Sequence, residues 1–434
     1  MSGILNYGEI LFGTFKDSRV RENAKSLVSA MFMGGTTQIW TLSQDSAEYE
    51  RFLHLLDGSL KNSLDLEKSN EALLSQSMNN ITCEKTLYVI HDGTNLLKPE
   101  SQVQADLCKV RDLEGNLVNG YLSFCSVCVN DLDKELHLLQ CTPYTTSASS
   151  GFNQPLVGFT EKELIEKQIR TVDIALKERF PDIKIVHLLD RKHDDLFYFS
   201  LFNELNSHFV IRAKLNRNSN EVVLTESEQT PSTKPKAVKL VNATLISTKN
   251  RLLERFVWKN KCHKQAKLVS SYGILSIKGV KYYVVRMQVY DKNGRKIFKE
   301  PILLITNQIV NSHKIAFEIY QQYLIRSKIE GVFKFLKQEM GWEEFRVKDF
   351  MAIQNIIVLC FFVAEYFYEN EPALVKDPNA QIICQLAKSK GKVTLHFYKK
   401  GLSIIANYIL FKKYVEDNNL SENDIQDLIA TFKE

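Results

Sequence analysis

The stretch YLIRSKIEGVFKFLK, Tyr323 to Lys337, carries four polar side chains at spacings of three, four and seven residues. They are a phenol, a guanidinium, a carboxylate and an ammonium, from Tyr323, Arg326, Glu330 and Lys337. On an α-helix, this polar stripe spans roughly 60°. The neighbouring stripe is apolar and would bury against a core: Ile325, Ile329, Val332 and Leu336. The carboxylate would then lie at the edge of the interior, flanked by cations and a phenol.

An ordinary surface ion pair is the alternative interpretation of this stripe. Arg326 and Glu330 are four residues apart, a common spacing for pairs on solvated helix faces. However, arginine before glutamate is the less stabilising order in a helix, so stability alone is a poor reason for it. The stripe by itself leaves both interpretations open.

Two aspartates follow apolar runs that we interpret as β-strands. Asp92 follows LYVIH and begins DGT, and Asp190 follows IVHLL and begins DRKHDD. Sites in α/β sheets usually lie at the carboxyl ends of central strands, so we predict that Asp92, Asp190 and Glu330 meet there. A turn at the Asp-Gly pair and a helix cap within DRKHDD are the structural alternatives.

Three converging carboxylates predict a site for divalent cations. Asp and Glu oxygens are hard ligands that suit Mg²⁺ or Mn²⁺. Two such ions about 4 Å apart can activate a water and stabilise a leaving 3′ oxygen during phosphodiester cleavage. We expect Asp92 to bridge the ions, with Asp190 on one ion and Glu330 on the other. Tyr323, Arg326 and Lys337 would bind phosphates.

The elements that must position these side chains follow an α/β pattern. Residues 81–216 read as strand, strand, strand, helix, strand, helix, strand, and their apolar strands imply a sheet covered on both faces. Residues 217–300 read as a basic β-rich insertion, and residues 301–348 restore the α/β pattern with one long helix from about His313 to Met340. Residues 1–80 and 349–434 read as helical regions.

Charge is distributed unevenly along the chain. Residues 212–300 contain 20 Lys or Arg and 6 Asp or Glu, a net charge of +14, whereas the whole chain has a net charge of +5. The remainder therefore carries a net charge of −9. A basic segment on an otherwise acidic protein predicts a polyanionic partner such as nucleic acid. The alternative is that these lysines only solubilise an extended sheet.

The composition excludes several classes of protein. A chain of 434 residues with 44% hydrophobic and 25% charged residues is typical of a soluble protein with two or three domains. The N-terminal sequence MSGILNYGEILFG does not read as a secretory signal. The most apolar segment, IIVLCFFVA, is too short for a membrane span and predicts a buried helix. Eight cysteines with a single CxxC predict reduced thiols rather than disulfides or a zinc site.

The polar stripe and the two aspartates together resemble a known family. The spacing Y-x2-R-x3-E-x6-K from Tyr323 to Lys337 matches the YREK signature of the insertion-sequence-four family of bacterial DDE transposases. DGT at Asp92 resembles the first-aspartate motif of that family, and DRKHD at Asp190 resembles the second. The strands HFVIRAK and LLITN are also similar to the family pattern, and the resemblance covers roughly residues 10–365.

The resemblance implies a ribonuclease-H-like catalytic core with a β-rich insertion, an N-terminal domain that recognises transposon ends and a C-terminal region for dimerisation. It implies metal-dependent DNA cleavage and strand transfer, with two Mg²⁺ or Mn²⁺ ions held by Asp92, Asp190 and Glu330. Arg212, at the end of HFVIRAK, is a further expected DNA contact.

The expected partners are double-stranded transposon ends, target DNA and a second copy of the chain, in the bacterial cytoplasm at the nucleoid and not at a membrane. Two alternatives are also compatible with these residues. One is a catalytically silent DNA-binding relative, and the other is a structure-specific nuclease on the same fold.

Overall fold

The protein combines α-helices with one large mixed β-sheet, which confirms the predicted α/β class. The computed structural model describes residues 2–60, 63–147, 150, 159–217, 239–242, 245, 247–258, 261–277 and 279–425. Within these ranges the helices are α1 (Ser2–Tyr7), α2 (Glu9–Gly13), α3 (Ser18–Gly34), α4 (Ile39–Leu42), α5 (Ser46–Leu56), α6 (Leu66–Asn80), α7 (Glu161–Arg179), α8 (Leu196–Glu204), α9 (His313–Ile325), α10 (Lys328–Glu339), α11 (Phe350–Leu374), α12 (Pro378–Leu386) and α13 (Leu395–Asp417). The strands are β1 (Thr86–Leu97), β2 (Cys108–Arg111), β3 (Leu117–Val129), β4 (Leu136–Tyr144), β5 (Lys184–Leu189), β6 (His208–Arg212), β7 (Ser247–Trp258), β8 (Lys261–Ile277), β9 (Val280–Tyr290) and β10 (Ile302–Thr306).

These strands form one mixed sheet in the order β2-β3-β1-β5-β6-β10-β9-β8-β7, and β4 also pairs with β3. Strand β3 runs antiparallel to β1 and to β4, whereas β5 runs parallel to β1 and β6 runs parallel to β5. Helix α7 connects β4 to β5, and α8 connects β5 to β6. Parallel strands joined by such crossovers have their carboxyl ends at one edge of the sheet, so the residues that follow them can form a site.

Local sequence signals explain where the crossover helices begin. Helix α7 starts with a capping box, in which the Thr160 hydroxyl accepts from the backbone of Glu163 and the Glu163 carboxylate accepts from the backbone of Thr160. Helix α8 starts at Asp195, whose carboxylate accepts from the backbone N–H of Phe197. Asp195 is therefore the helix cap that the DRKHDD run allowed.

Strands from the predicted basic insertion extend the main sheet. Strand β10 lies between β6 and β9 and is antiparallel to both, and β8 and β7 follow outward from β9. Most of the polar run that opens the insertion, residues 218–238, lies outside the described residues. The insertion is thus joined to the α/β sheet by backbone hydrogen bonds.

The single long helix expected from His313 to Met340 is wrong, because the structure has two helices, α9 and α10. At the break, the backbone N–H of Arg326 donates to Tyr323 O at 3.0 Å, and that of Glu330 donates to Ser327 O at 3.2 Å. These bonds span three residues rather than four, which is 3₁₀ geometry. The Ser327 hydroxyl donates to Leu324 O at 2.9 Å, and such side-chain bonding bends helices.

Helix α11 contains the apolar segment for which we predicted a buried helix. In the described part of the chain, α11 is the helix that is long and apolar enough to cross a membrane, but 78% of its apolar window is buried within the protein. Its side chains share one core cluster with the N-terminal helices and the sheet, for example Phe361 with Phe52 and Val127. This burial indicates a core helix rather than a membrane span.

Candidate active site at the ends of β1 and β5

The two predicted aspartates lie on adjacent strands. Asp190 directly follows β5, as predicted, but Asp92 lies inside β1, because the residues after it continue to pair with β3 as far as Leu97. The pairing of β1 with β5 ends at Ile90, opposite Leu188, so Asp92 and Asp190 are each two residues beyond the last pair. They therefore occupy equivalent positions on strands that lie about 4.8 Å apart.

Arg326 joins Asp92 to the glutamate of the polar stripe. Its Nη2 atom lies 2.5 Å from Oδ2 of Asp92, and its Nη1 atom lies 3.1 Å from Oε1 of Glu330. The side chains of Arg326 and Asp92 are only 16% and 14% exposed, whereas Glu330 is 64% exposed. Solvent screens the contact with Glu330, so the ion pair with Asp92 is the stronger of the two.

The pKa values of the two aspartates are shifted in opposite directions. Burial raises the pKa of Asp92 to about 6, although the Arg326 cation opposes this shift and the Asp190 carboxylate adds to it. Burial is also the largest single influence on Asp190 and acts in the same direction, but the interactions with His193, the backbone N–H of Lys192 and Arg326 together lower the Asp190 pKa below its usual value. Both carboxylates are therefore mainly ionised at neutral pH, and Asp92 is the first of the two to take up a proton as the pH falls.

His193 is a site residue to which the sequence analysis gave no role. Its Nδ1 atom lies 2.9 Å from Oδ1 of Asp190, and the same oxygen accepts the backbone N–H of Lys192 at 2.9 Å. The His193 ring is buried, and its Nε2 atom has no hydrogen-bond partner among the described residues. The spacing of three residues in DRKHD, on a 3₁₀ turn over Arg191–His193, was the signal that could have revealed this contact.

Tyr323 and Arg212 lie next to the aspartates. Tyr323 is in the last turn of α9 and is buried, and Arg212 ends β6 and hydrogen-bonds to the Tyr323 side chain. Burial raises the pKa of Tyr323, the cations of Arg326 and Arg212 oppose this shift, and the Asp190 carboxylate adds to it. The phenol therefore keeps its proton at neutral pH and can act as a hydrogen-bond donor.

Lys337 has other contacts in this structure. Its Nζ atom donates to the backbone oxygen of Asn95 and to Oε1 of Glu343, the latter at 3.0 Å. Asn95 is on β1, three residues after Asp92. Lys337 thus attaches α10 to β1, and a contact with a phosphate would require it to leave Glu343.

A chain of buried polar side chains supports the strands behind the aspartates, and the sequence analysis did not identify it. His91 Nε2 lies 2.9 Å from His187 Nδ1, and His187 Nε2 lies 3.0 Å from an oxygen of Asp173. His91 Nδ1 lies 2.7 Å from the Ser126 hydroxyl. Burial lowers the pKa of both histidines, so both are neutral and each has one N–H. The signal in the sequence was a histidine inside each of two apolar strands, shortly before Asp92 and Asp190.

The donor atoms at this site fit a hard divalent cation, but the present side-chain arrangement does not hold one. Asp92 and Asp190 are adjacent, and their repulsion contributes to the raised pKa of Asp92, which a bound cation would relieve. In the part of the chain that the structure describes, no three His, Cys, Asp or Glu side chains are grouped closely enough for a metal ion. The Arg326 guanidinium contacts both Asp92 and Glu330.

A basic surface lies on β8, in the segment whose charge predicted a polyanionic partner. Lys261, Lys264 and Lys267 are exposed on this strand, and we call them the β8 lysines. Ala266 and Leu268, on either side of Lys267, are buried in the core. Lys259, another basic residue of this segment, lies outside the described residues.

No protein-family model matches the chain, and no curated protein matches it.

Proposed function

We propose that this protein is a DDE transposase that binds transposon ends and catalyses metal-dependent cleavage and strand transfer of DNA. The convergence of Asp92, Asp190 and Arg326 carries the proposal. Asp92 and Arg326 are 234 residues apart in the chain but share an ion pair, and Asp190 occupies the position equivalent to Asp92 on the next strand. Two partly buried carboxylates side by side are costly, which favours a role in binding cations over a role in folding.

The strand arrangement supports a ribonuclease-H-like core. Such a core would consist of β4, β3, β1, β5 and β6, in this spatial order, with three antiparallel strands followed by two parallel ones. Helices α7 and α8 provide the crossovers. Strands β1 and β5 are central in this set and carry the two aspartates, as a site at the carboxyl edge requires.

In this proposal, Asp92, Asp190 and Glu330 bind two Mg²⁺ or Mn²⁺ ions, which activate a water and stabilise the leaving 3′ oxygen. His193 keeps Asp190 ionised and orients its carboxylate. Tyr323 donates a hydrogen bond to a phosphate. The cations near it, Arg212 and Arg326, bind the phosphates, with each guanidinium able to bind two oxygens.

Incubation of the purified protein with Mn²⁺ and linear DNA that carries the ends of its element tests the proposal. We expect cleaved and joined strands from the wild type. Glu330→Gln and Asp92→Asn should abolish cleavage while DNA binding persists. Glu204→Gln is the matched control, because Glu204 is also an exposed glutamate paired with an arginine, 2.8 Å from Arg170. Unchanged cleavage by Glu330→Gln and Asp92→Asn would contradict the proposal.

A catalytically silent DNA-binding protein is the second candidate. The contact of Arg326 with Asp92 and the exposure of Glu330 favour it, because the three carboxylates are not arranged around a common ion. Specific DNA binding without cleavage in Mn²⁺ would support this candidate. Cleavage without any joined strands would instead indicate a structure-specific nuclease on the same fold.

A homodimer is part of the proposed function. The outer half of α13 exposes large apolar side chains, which monomeric proteins rarely leave in contact with water. These residues are Ile404, Tyr408, Ile409, Leu410, Phe411 and Tyr414. We propose that two copies associate through this surface when they hold two transposon ends, in the bacterial cytoplasm at the nucleoid.

A further inference from the structure

The guanidinium of Arg326 occupies the part of the site where a cation would bind. Its Nη2 atom lies 2.5 Å from Oδ2 of Asp92, and a Mg²⁺ ion on that oxygen would lie at about 2.1 Å. A second cation so close to the guanidinium would be strongly repelled in a partly buried site. Arg326 and an ion on this oxygen of Asp92 therefore exclude each other.

The Arg326 guanidinium also keeps the Glu330 carboxylate apart from Asp92. Nη1 of Arg326 lies 3.1 Å from Oε1 of Glu330, so the guanidinium is inserted between this carboxylate and Asp92. This accounts for the lack of a three-ligand group in the described residues. Movement of one side chain would free two of the three carboxylates.

Arg326 is not fully satisfied in this position. Its Nε atom is buried and has no hydrogen-bond partner among the described residues. An unsatisfied buried donor is unfavourable, so this arrangement can compete with another in which Nε is hydrogen-bonded. Arg326 also lies at the 3₁₀ break between α9 and α10, where the backbone hydrogen bonds already depart from regular α-helix.

We propose that Arg326 takes the place of the metal in the ion-free protein and must leave Asp92 when ions bind, which frees its guanidinium for a DNA phosphate. This inference rests on the proposed function, since it requires a divalent-ion site at Asp92. Ion binding and DNA binding are then coupled through one side chain. The protein would bind DNA phosphates more tightly once the ions are in place.

Calorimetric titration of Mn²⁺ into the chelator-treated protein, without DNA, tests the competition. Arg326→Gln should bind Mn²⁺ about ten-fold more tightly than the wild type, since the ion no longer displaces a charge-assisted hydrogen bond. Arg326→Lys keeps the charge but loses the planar fork, and it should also bind more tightly. It provides the test if Arg326→Gln does not fold. Equal or weaker Mn²⁺ binding by the folded Arg326 variants would overturn the proposal.

Two control variants distinguish loss of the Arg326–Asp92 contact from a general effect of removing a positive charge on Mn²⁺ affinity. Arg212→Gln removes the same charge beside Tyr323, and it should tighten Mn²⁺ binding by a smaller factor than Arg326→Gln. Arg170→Gln removes an arginine on α7 that also bridges two carboxylates, Glu166 and Glu204, and contacts none of the site residues, so it should have no effect. Equal tightening by Arg212→Gln and Arg326→Gln would overturn the proposal, because charge alone would then explain the result.

The coupling to DNA has its own measurement. Fluorescence anisotropy with labelled transposon-end DNA should show tighter binding in Ca²⁺ than in chelator for the wild type, and Arg326→Gln should lose most of this gain. An equal gain in both proteins would contradict the proposal that Arg326 is released from Asp92 to bind DNA.

If neither the wild type nor any variant binds Mn²⁺, the proposed metal-dependent function itself is wrong. If Asp92→Asn abolishes Mn²⁺ binding but Arg326→Gln leaves it unchanged, only this inference fails.

Discussion

The Nε2 atom of His91 lies 2.9 Å from the Nδ1 atom of His187, and this contact ties the strand that contains Asp92 to the strand that precedes Asp190. Both rings are fully buried and neutral. The Nε2–H of His187 donates to Asp173, which leaves Nδ1 to accept the Nε2–H of His91. The two strands thus have a fixed relative position through side chains as well as through the backbone.

Removal of the central histidine should destabilise the fold. His187→Ala leaves the Asp173 carboxylate and the His91 ring buried with one partner fewer, so the free energy of unfolding should fall by about 1–3 kcal/mol. Urea unfolding followed by circular dichroism measures this change. His54→Ala, on an exposed face of α5, should stay within about 0.5 kcal/mol of the wild type. Equal stability of His187→Ala and wild type would contradict the role of this network.

Stability should rise with pH above neutrality because of Lys399. Its buried Nζ donates to Met33 O at 2.9 Å, and burial lowers its pKa from 10.5 to about 7. Between these values the unfolded chain binds a proton that the folded chain lacks, so this group increases the free energy of unfolding by up to about 1.4 kcal/mol per pH unit. It contributes no change below about pH 7. In urea unfolding at several pH values, Lys399→Met should lack this increase, and parallel curves for both proteins would contradict it.

The β8 lysines should contribute to the salt dependence of DNA binding. Each phosphate contact releases counterions, so neutralising all three to Gln should reduce the slope of log affinity against log salt by about 3. Binding of labelled DNA at several salt concentrations measures the slope. A triple variant of exposed lysines near α12, Lys376, Lys388 and Lys390, is the control and should leave the slope unchanged. An unchanged slope in the β8 variant would exclude these lysines from the interface.

The exposed apolar surface of α13 should support self-association. Ile404, Tyr408 and Phe411 lie on one face of the helix, and replacing all three by Glu should convert a dimer into a monomer in analytical ultracentrifugation. Ile382→Glu changes an exposed apolar residue on α12 and should leave the dimer intact. A wild type that is monomeric at all concentrations, with and without DNA, would contradict the dimer.

Residue patterns predicted the parts of the structure that depend on local sequence. The apolar runs before Asp92 and Asp190 indicated buried strands, because side-chain type reports burial along a short segment. The prediction that β1 ends just before Asp92 was wrong. The strand continues past Asp92 because it pairs with β3, about 30 residues away in the chain.

The contacts of Arg326, like the length of β1, depend on residues that are distant in the chain. Helical spacing indicated a pair with Glu330, and the structure has that contact, but the more buried partner is Asp92. No local pattern reports a partner 234 residues away. Similarly, the break between α9 and α10 depends on where the Ser327 hydroxyl donates, and a serine in a helical run does not predict this.

The continuity of the sheet has a mechanical consequence. Backbone pairing continues from β5 through β6, β10 and β9 to the part of β8 that begins at Lys267, whereas Lys261 and Lys264 lie beyond this part and pair with β7 alone. A force on Lys267 would therefore be transmitted through paired strands to β5, whereas the two-stranded end of β8 can bend by itself. Under the proposed function, tension in a duplex held at Lys267 would reach the carboxylates through the protein backbone.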